Sequence, residues 1–143
     1  MQATTKANLS VVKKHTGHFL DALLYENGII EIVWNTSIEI IEVEHLTQMQ
    51  QAICDLGNGK KIPVFFTAHD FLQLSKEGAA YAASEQGVAY TLANAVLIDS
   101  LAKKLLFNFF LNFNKPIAPT KGFSSREEAF NWLEGIKESE NTF

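Results

Sequence analysis

The sequence predicts a single α/β domain: a mixed, mostly parallel sheet of about five strands, an N-terminal hairpin and about four helices. Three observations predict it. The chain has 143 residues, 47% of them hydrophobic, which is enough for one core and too little for two ordinary domains. An Asn-Gly pair sits between two β-rich runs. After it, apolar runs of strand length alternate with segments of helical periodicity, and no linker or internal repeat divides them.

The first element is the hairpin His18 to Asn35. Phe19, Leu20, Leu23, Leu24 and Tyr25 lead into Glu26-Asn27-Gly28, and Ile29, Ile30, Ile32, Val33 and Trp34 follow. Asn and Gly both tolerate the positive φ that a tight hairpin turn demands. Ile38-Glu39-Ile40 alternates like a short strand. Leu46, Met49, Ile53 and Leu56 then fall on one face of a helix, with Glu42, His45, Gln48 and Gln51 off it. Gly57-Asn58-Gly59 ends that helix, with Gly expected to supply the left-handed cap. Ile62 to Thr67 is a nearly unbroken apolar run, as in a strand covered on both faces, with Pro63 at its beginning. Ser75 is placed to cap an Ala-rich helix over Lys76 to Gln86. Val88 to Asp99 holds another strand, Ser100 to Phe113 a helix, and Pro116 to Ala118 a short strand. Ser124 or Ser125 caps a last helix that ends near Lys137. The organisation expected is a polar extension over residues 1–17, the domain over 18–137 and a frayed tail over 138–143.

Composition excludes several classes. The net charge of −4 leaves no electrostatic footprint for nucleic acid. One cysteine, Cys54, excludes an internal disulfide and a Cys-based zinc cluster; beside Ile53 it reads as a small buried hydrophobe. No run reaches the roughly 20 apolar residues of a membrane span, and no leader pattern is present. A cytoplasmic location is expected.

Several segments together resemble a known family. They are Leu56-Gly57-Asn58-Gly59-Lys60-Lys61-Ile62-Pro63-Val64, Tyr81-Ala82-Ala83-Ser84-Glu85 and Ala95-Val96-Leu97-Ile98-Asp99-Ser100-Leu101-Ala102. Asn108-Phe109-Phe110-Leu111-Asn112-Phe113-Asn114-Lys115-Pro116 and Glu127-Glu128-Ala129-Phe130-Asn131-Trp132-Leu133 complete the set. They resemble the STAS-like proteins related to the SpoIIAA anti-sigma-factor antagonists, in particular a small bacterial branch of unknown function. The resemblance implies a regulatory or protein-interaction module rather than an enzyme. In signalling members a Ser or Thr after a central strand, in an Asp-Ser-Ser-Gly-like context, accepts phosphate. This chain departs from that pattern: Thr67 is followed by Ala68-His69-Asp70-Phe71. Asp99-Ser100-Leu101 lacks the second hydroxyl and the glycine, and lies one strand later.

Three residues are candidates for a ligand or partner site. Ser100 opens a helix, where the free N–H groups favour added negative charge; it reads either as a phosphoacceptor or as an ordinary N-cap. His69 and Asp70 follow a central strand, where open α/β sheets place their ligands. Asp70 beside the imidazole is the arrangement that general-base work uses, and a loop hydrogen bond is the plainer reading. No nucleophile, phosphate loop or metal spacing accompanies them, and no cofactor is expected.

The helix Ser100 to Phe113 is too apolar for one buried face. Ala102, Leu105, Leu106, Phe109 and Phe113 are expected to form the core stripe, which leaves Leu101, Phe107, Phe110 and Leu111 over. We read this surplus as a homodimer contact. Cover by the connection through Gly122, and a small apolar ligand or lipid pocket, are the alternatives. The functional expectation is a self-associating, non-enzymatic module with a protein partner. A small apolar-ligand domain comes second, and a hydrolase-type enzyme using His69 and Asp70 comes third.

Overall fold

The computed structural model describes residues 9–141. Eight strands and four helices are present among them: β1 (Val11–Thr16), β2 (Leu20–Tyr25), β3 (Ile30–Trp34), β4 (Ile40–Ile41), α1 (Val43–Leu56), β5 (Ile62–Thr67), β6 (Gln73–Leu74), α2 (Lys76–Ala83), β7 (Thr91–Leu97), α3 (Leu101–Phe113), β8 (Thr120–Phe123) and α4 (Arg126–Asn141). The main sheet has six strands in the order β1-β2-β3-β5-β7-β8, and β4 and β6 pair separately. β1 and β2, and β2 and β3, are antiparallel; β3, β5, β7 and β8 run parallel. The α/β class, the hairpin and the mostly parallel sheet are as expected.

Each parallel crossover steps one strand further the same way, so a constant hand places its helices on one face. Strand alternation then divides the core. Ile30, Ile32, Trp34 and Val64 face α1 and its buried Leu46, Met49, Ile53 and Leu56. Ile29 and Phe65 face the other way and pack with Ala93, Ala95, Ala129, Phe130 and Leu133 beneath α4. Phe130 stands edge-on to Phe65, with ring centroids 5.2 Å apart. β5 lies between β3 and β7, which is why its apolar run has no polar side.

The differences from expectation have local causes. Residues 11–16 of the expected polar extension form the edge strand β1. All six of its residues are exposed, so backbone pairing to β2 holds it and no amphipathic pattern marks it. The last strand is Thr120–Phe123 rather than Pro116 to Ala118, because Pro116 and Pro119 have no N–H to donate to a ladder. α4 continues past Lys137 to Asn141, so residues 138–141 of the expected tail are helical; 142–143 lie outside the described residues. α2 stops at Ala83, and a separate 3-10 turn, Gln86–Val88, follows. The turn after α1 is left-handed at Asn58 (φ 56°) and Gly59 (φ 78°), not at Gly57. Gly57 is needed for space instead, since a Cβ there would stand 2.6 Å from Ile62. Cys54 is half-buried rather than enclosed.

Candidate functional site

The parallel neighbours β5 and β7 end on the same edge of the sheet, and their following loops carry the three candidate polar residues. The structure brings two of them together. Ser100 Oγ donates to Asp70 Oδ1 at 3.0 Å and accepts the Lys103 backbone N–H at 3.2 Å, so it is a true N-cap of α3. Lys103 Nζ reaches Asp99 at 2.9 Å and Asp70 at 3.8 Å. This contact holds the Asp99 carboxyl below its ordinary range, with the Lys103 hydrogen bond as the chief cause.

His69 is turned elsewhere. Its Nε2 lies 2.9 Å from the Ile38 carbonyl oxygen, and its Nδ1 accepts the Phe71 N–H at 3.2 Å. Bonding of this kind makes it the Nε2–H tautomer, with both ring nitrogens committed to backbone. Asp70 therefore bonds to Ser100 and not to the imidazole. His45 is likewise occupied, as Nδ1 accepts the Glu42 N–H at 2.9 Å. No group of His, Cys, Asp and Glu among the described residues is arranged to hold a metal ion.

Helix α3 is oriented opposite to the expected way. Ala102, Leu105, Phe109 and Phe113, four members of the expected core stripe, are exposed. Phe107, Phe110 and Leu111, three members of the expected dimer contact, turn inward with Leu106, and only Leu101 of that set is exposed. None of the helix's thirteen residues is fully buried. Beneath it lies a cavity of about 180 Å³. Trp34, Phe66, Asn94 and Val96 line it from the sheet, Leu106, Phe107 and Phe110 from α3, and Met49 from α1. Ile41, Gln73 and Leu74 of the small β4–β6 pair, with Pro116 of the connection after α3, complete parts of the wall. Gly122 allows the close approach on β8, because a Cβ there would stand 3.0 Å from the Phe107 ring.

A second polar cluster escaped the sequence reading. Glu31, 3% exposed in β3, accepts Arg126 Nη1 and Nη2 at 2.8 Å each, Tyr25 Oη at 2.8 Å and Thr67 Oγ1 at 3.3 Å. The Arg126 guanidinium also lies 5.1 Å from the Phe65 ring centroid and 5.5 Å from that of Phe130. Burial, then the Glu31 carboxylate, pushes the Tyr25 phenol up, and the hydrogen bonds to Glu31 push Arg126 up. The signal was available: a carboxylate inside Ile29-Ile30-Glu31-Ile32 needs partners if both sheet faces are covered. Asn94 within Ala93-Asn94-Ala95-Val96 carried the same kind of signal.

A family model described as a domain of unknown function (DUF7793) matches residues 23–137, from the hairpin through most of α4. No curated protein and no solved structure matches the chain. No helix among the described residues is long and apolar enough to cross a membrane.

Proposed function

We propose that this chain, which belongs to the family described as domain of unknown function (DUF7793), is a non-enzymatic, STAS-like interaction module that pairs with a second copy of itself through the outer face of α3. One observation carries the reading. Leu101, Leu105, Phe109 and Phe113 are 61–73% exposed and recur every fourth residue along the whole helix. Phe71, 80% exposed, flanks them across a shallow groove that Leu105 and Phe109 also line.

An i, i+4 ridge is the surface that packs into the same ridge of another helix, at a crossing near −50°. A two-fold axis presents it to itself. Completing the burial of eight such side chains, each already about a third buried, contributes about 10 kcal/mol, which is of the same order as an association cost of about 4–15 kcal/mol. The non-enzymatic part is supported by the way polar groups are spent: His69 on backbone, Ser100 on its cap and Asp70. The STAS-like part is supported by the hairpin-first sheet and the strand-helix alternation after it. A regulatory role and a cytoplasmic, bacterial setting belong to this same reading.

Sedimentation equilibrium tests it. The native chain is expected to be a dimer, and Leu105→Asp with Phe109→Asp a folded monomer with an unchanged circular dichroism spectrum. A native monomer at micromolar concentration overturns the reading. A second reading, a small apolar-ligand or lipid-binding domain, is favoured by the cavity on the helix's inner side.

A further inference from the structure

We infer that the cavity between α3 and the sheet is a binding site for a small neutral molecule of one aromatic ring carrying a single O–H or N–H donor, with Asn94 as the group that receives the donor. The inference deepens the second reading above and does not depend on self-association.

Size comes first. A dry apolar cavity of about 150 Å³ takes benzene, whereas drug-sized ligands occupy about 300–1,000 Å³. At about 180 Å³ this cavity fits one ring with one small substituent. Its character is aromatic and aliphatic on both sides, with Phe66 and Val96 below and Leu106, Phe107 and Phe110 above. These inner residues of α3 are only half-buried although they face the protein, and all three line the cavity. Filling that space adds the contacts that the lining lacks.

Polarity comes second. Asn94 stands in the middle of β7 and lines the cavity. Its amide has one hydrogen bond, from Nδ2 to Thr120 Oγ1 at 3.4 Å. The Thr120 hydroxyl donates its own proton to the Ala118 carbonyl at 3.0 Å, so it can only accept from Asn94. The amide nitrogen must therefore face Thr120, and Oδ1 is left as an acceptor without a donor among the described residues. A ligand O–H or N–H supplies that donor.

Charge comes third. Lys103, the cation on the cavity wall, is already paired with Asp99 and Asp70. His69 has both ring nitrogens committed. Nothing on the wall is free to neutralise a carboxylate or phosphate, which specifies a neutral ligand.

The test is a nuclear magnetic resonance titration of the full chain with phenol, toluene and benzoate. Phenol is expected to give saturable shifts at Val96, Leu106 and Phe107, and to bind about 10-fold tighter than toluene, the worth of one hydrogen bond. Benzoate is expected not to saturate. In Asn94→Leu the phenol advantage should vanish while toluene still binds. In Val96→Phe, which fills the floor of the cavity, both should be lost with the fold retained by circular dichroism. Toluene binding as tightly as phenol in the native chain upholds an apolar-ligand domain and overturns the donor assignment. Absence of saturable shifts with either, or shifts unchanged in Val96→Phe, overturns both. Should Val96→Phe fail to fold, Leu106→Trp fills the same space from the roof and decides the matter.

Discussion

Glu31 and Arg126 are 95 positions apart and joined by two parallel hydrogen bonds, Nη1 to Oε1 and Nη2 to Oε2, each 2.8 Å long. The pair ties the middle of the sheet to the first residue of α4, and the guanidinium covers the rings of Phe65 and Phe130 as it does so. Ser125 caps the same helix by accepting the Glu128 N–H at 3.2 Å. The arginine is therefore presented by a fixed helix start, and the bidentate geometry follows.

Arg126→Ala leaves a buried carboxylate with only two hydroxyl donors. The expected loss of stability is about 3 kcal/mol, at the lower end for a broken buried pair because the arginine side is 42% exposed. Replacing both partners, Glu31→Leu with Arg126→Met, should cost less than Arg126→Ala alone, since no charge is then stranded. Urea unfolding of the three chains measures this. A double variant less stable than Arg126→Ala would show that the hydroxyls of Tyr25 and Thr67 depend on the carboxylate more than the carboxylate depends on the arginine.

Tyr25 gives the cluster a signature at alkaline pH. Its phenol is raised above the ordinary value of 10.0, by burial first and by the Glu31 carboxylate it donates to second. A raised pKa means that the folded state favours the neutral phenol. The contribution to stability is thus whole below pH 10.0 and is lost as pH rises through the folded value. Native protein should lose stability more steeply above that pH than Tyr25→Phe does. Parallel alkaline arms in the two denaturation profiles would remove Tyr25 from the account.

Ser100 has two structural tasks, capping α3 and donating to Asp70. Ser100→Ala removes both and should cost about 1 kcal/mol in denaturant midpoint measurements. Asp70→Asn keeps an acceptor opposite the hydroxyl and should cost less. If Asp70→Asn proves the more damaging, the contact from Lys103 to Asp70 outweighs the hydroxyl bond.

What the sequence disclosed follows from how each signal works. The turn at Asn27-Gly28 was legible because local bonding selects those residues: Gly28 has φ 88° and donates to the Tyr25 carbonyl, whereas Asn27 is not left-handed as expected and instead accepts the Ile29 N–H on its Oδ1 at 3.2 Å. β5 was legible because a strand covered on both faces needs no phase. Helix α3 was legible as a helix but not in its orientation. Leu101, Leu105, Phe109 and Phe113 make one apolar ridge, and Leu106, Phe107, Phe110 and Leu111 cover the opposite side, so periodicity marks no unique inner face. β1 was invisible since its hold on β2 is backbone, and Glu31 was overlooked because its partner lies 95 positions away. In the candidate site, His69 makes the loop hydrogen bonds that are the plainer reading of His69-Asp70, whereas the contact of Asp70 with Ser100, 30 positions away, had no sequence signal.

The two helices that follow the later strands should differ most in hydrogen exchange. α4 has Ala129 and Leu133 at zero exposure and Phe130 at 1%, and opening it breaks the Phe65–Phe130 contact and the Arg126 pair. Its central amides are expected to exchange only with global unfolding. α3 has no buried residue and stands over empty space, so it can open without exposing a packed core. Its amides should exchange through local opening, orders of magnitude sooner and with little dependence on denaturant. In the proposed dimer, pairing of the outer ridge would slow that opening in proportion to the dimer present, so dilution should speed α3 and leave α4 unchanged. Equal protection of the two helices in dilute solution would mean that α3 is anchored by more than its half-buried inner face, and the cavity beneath it would then be closed rather than receptive.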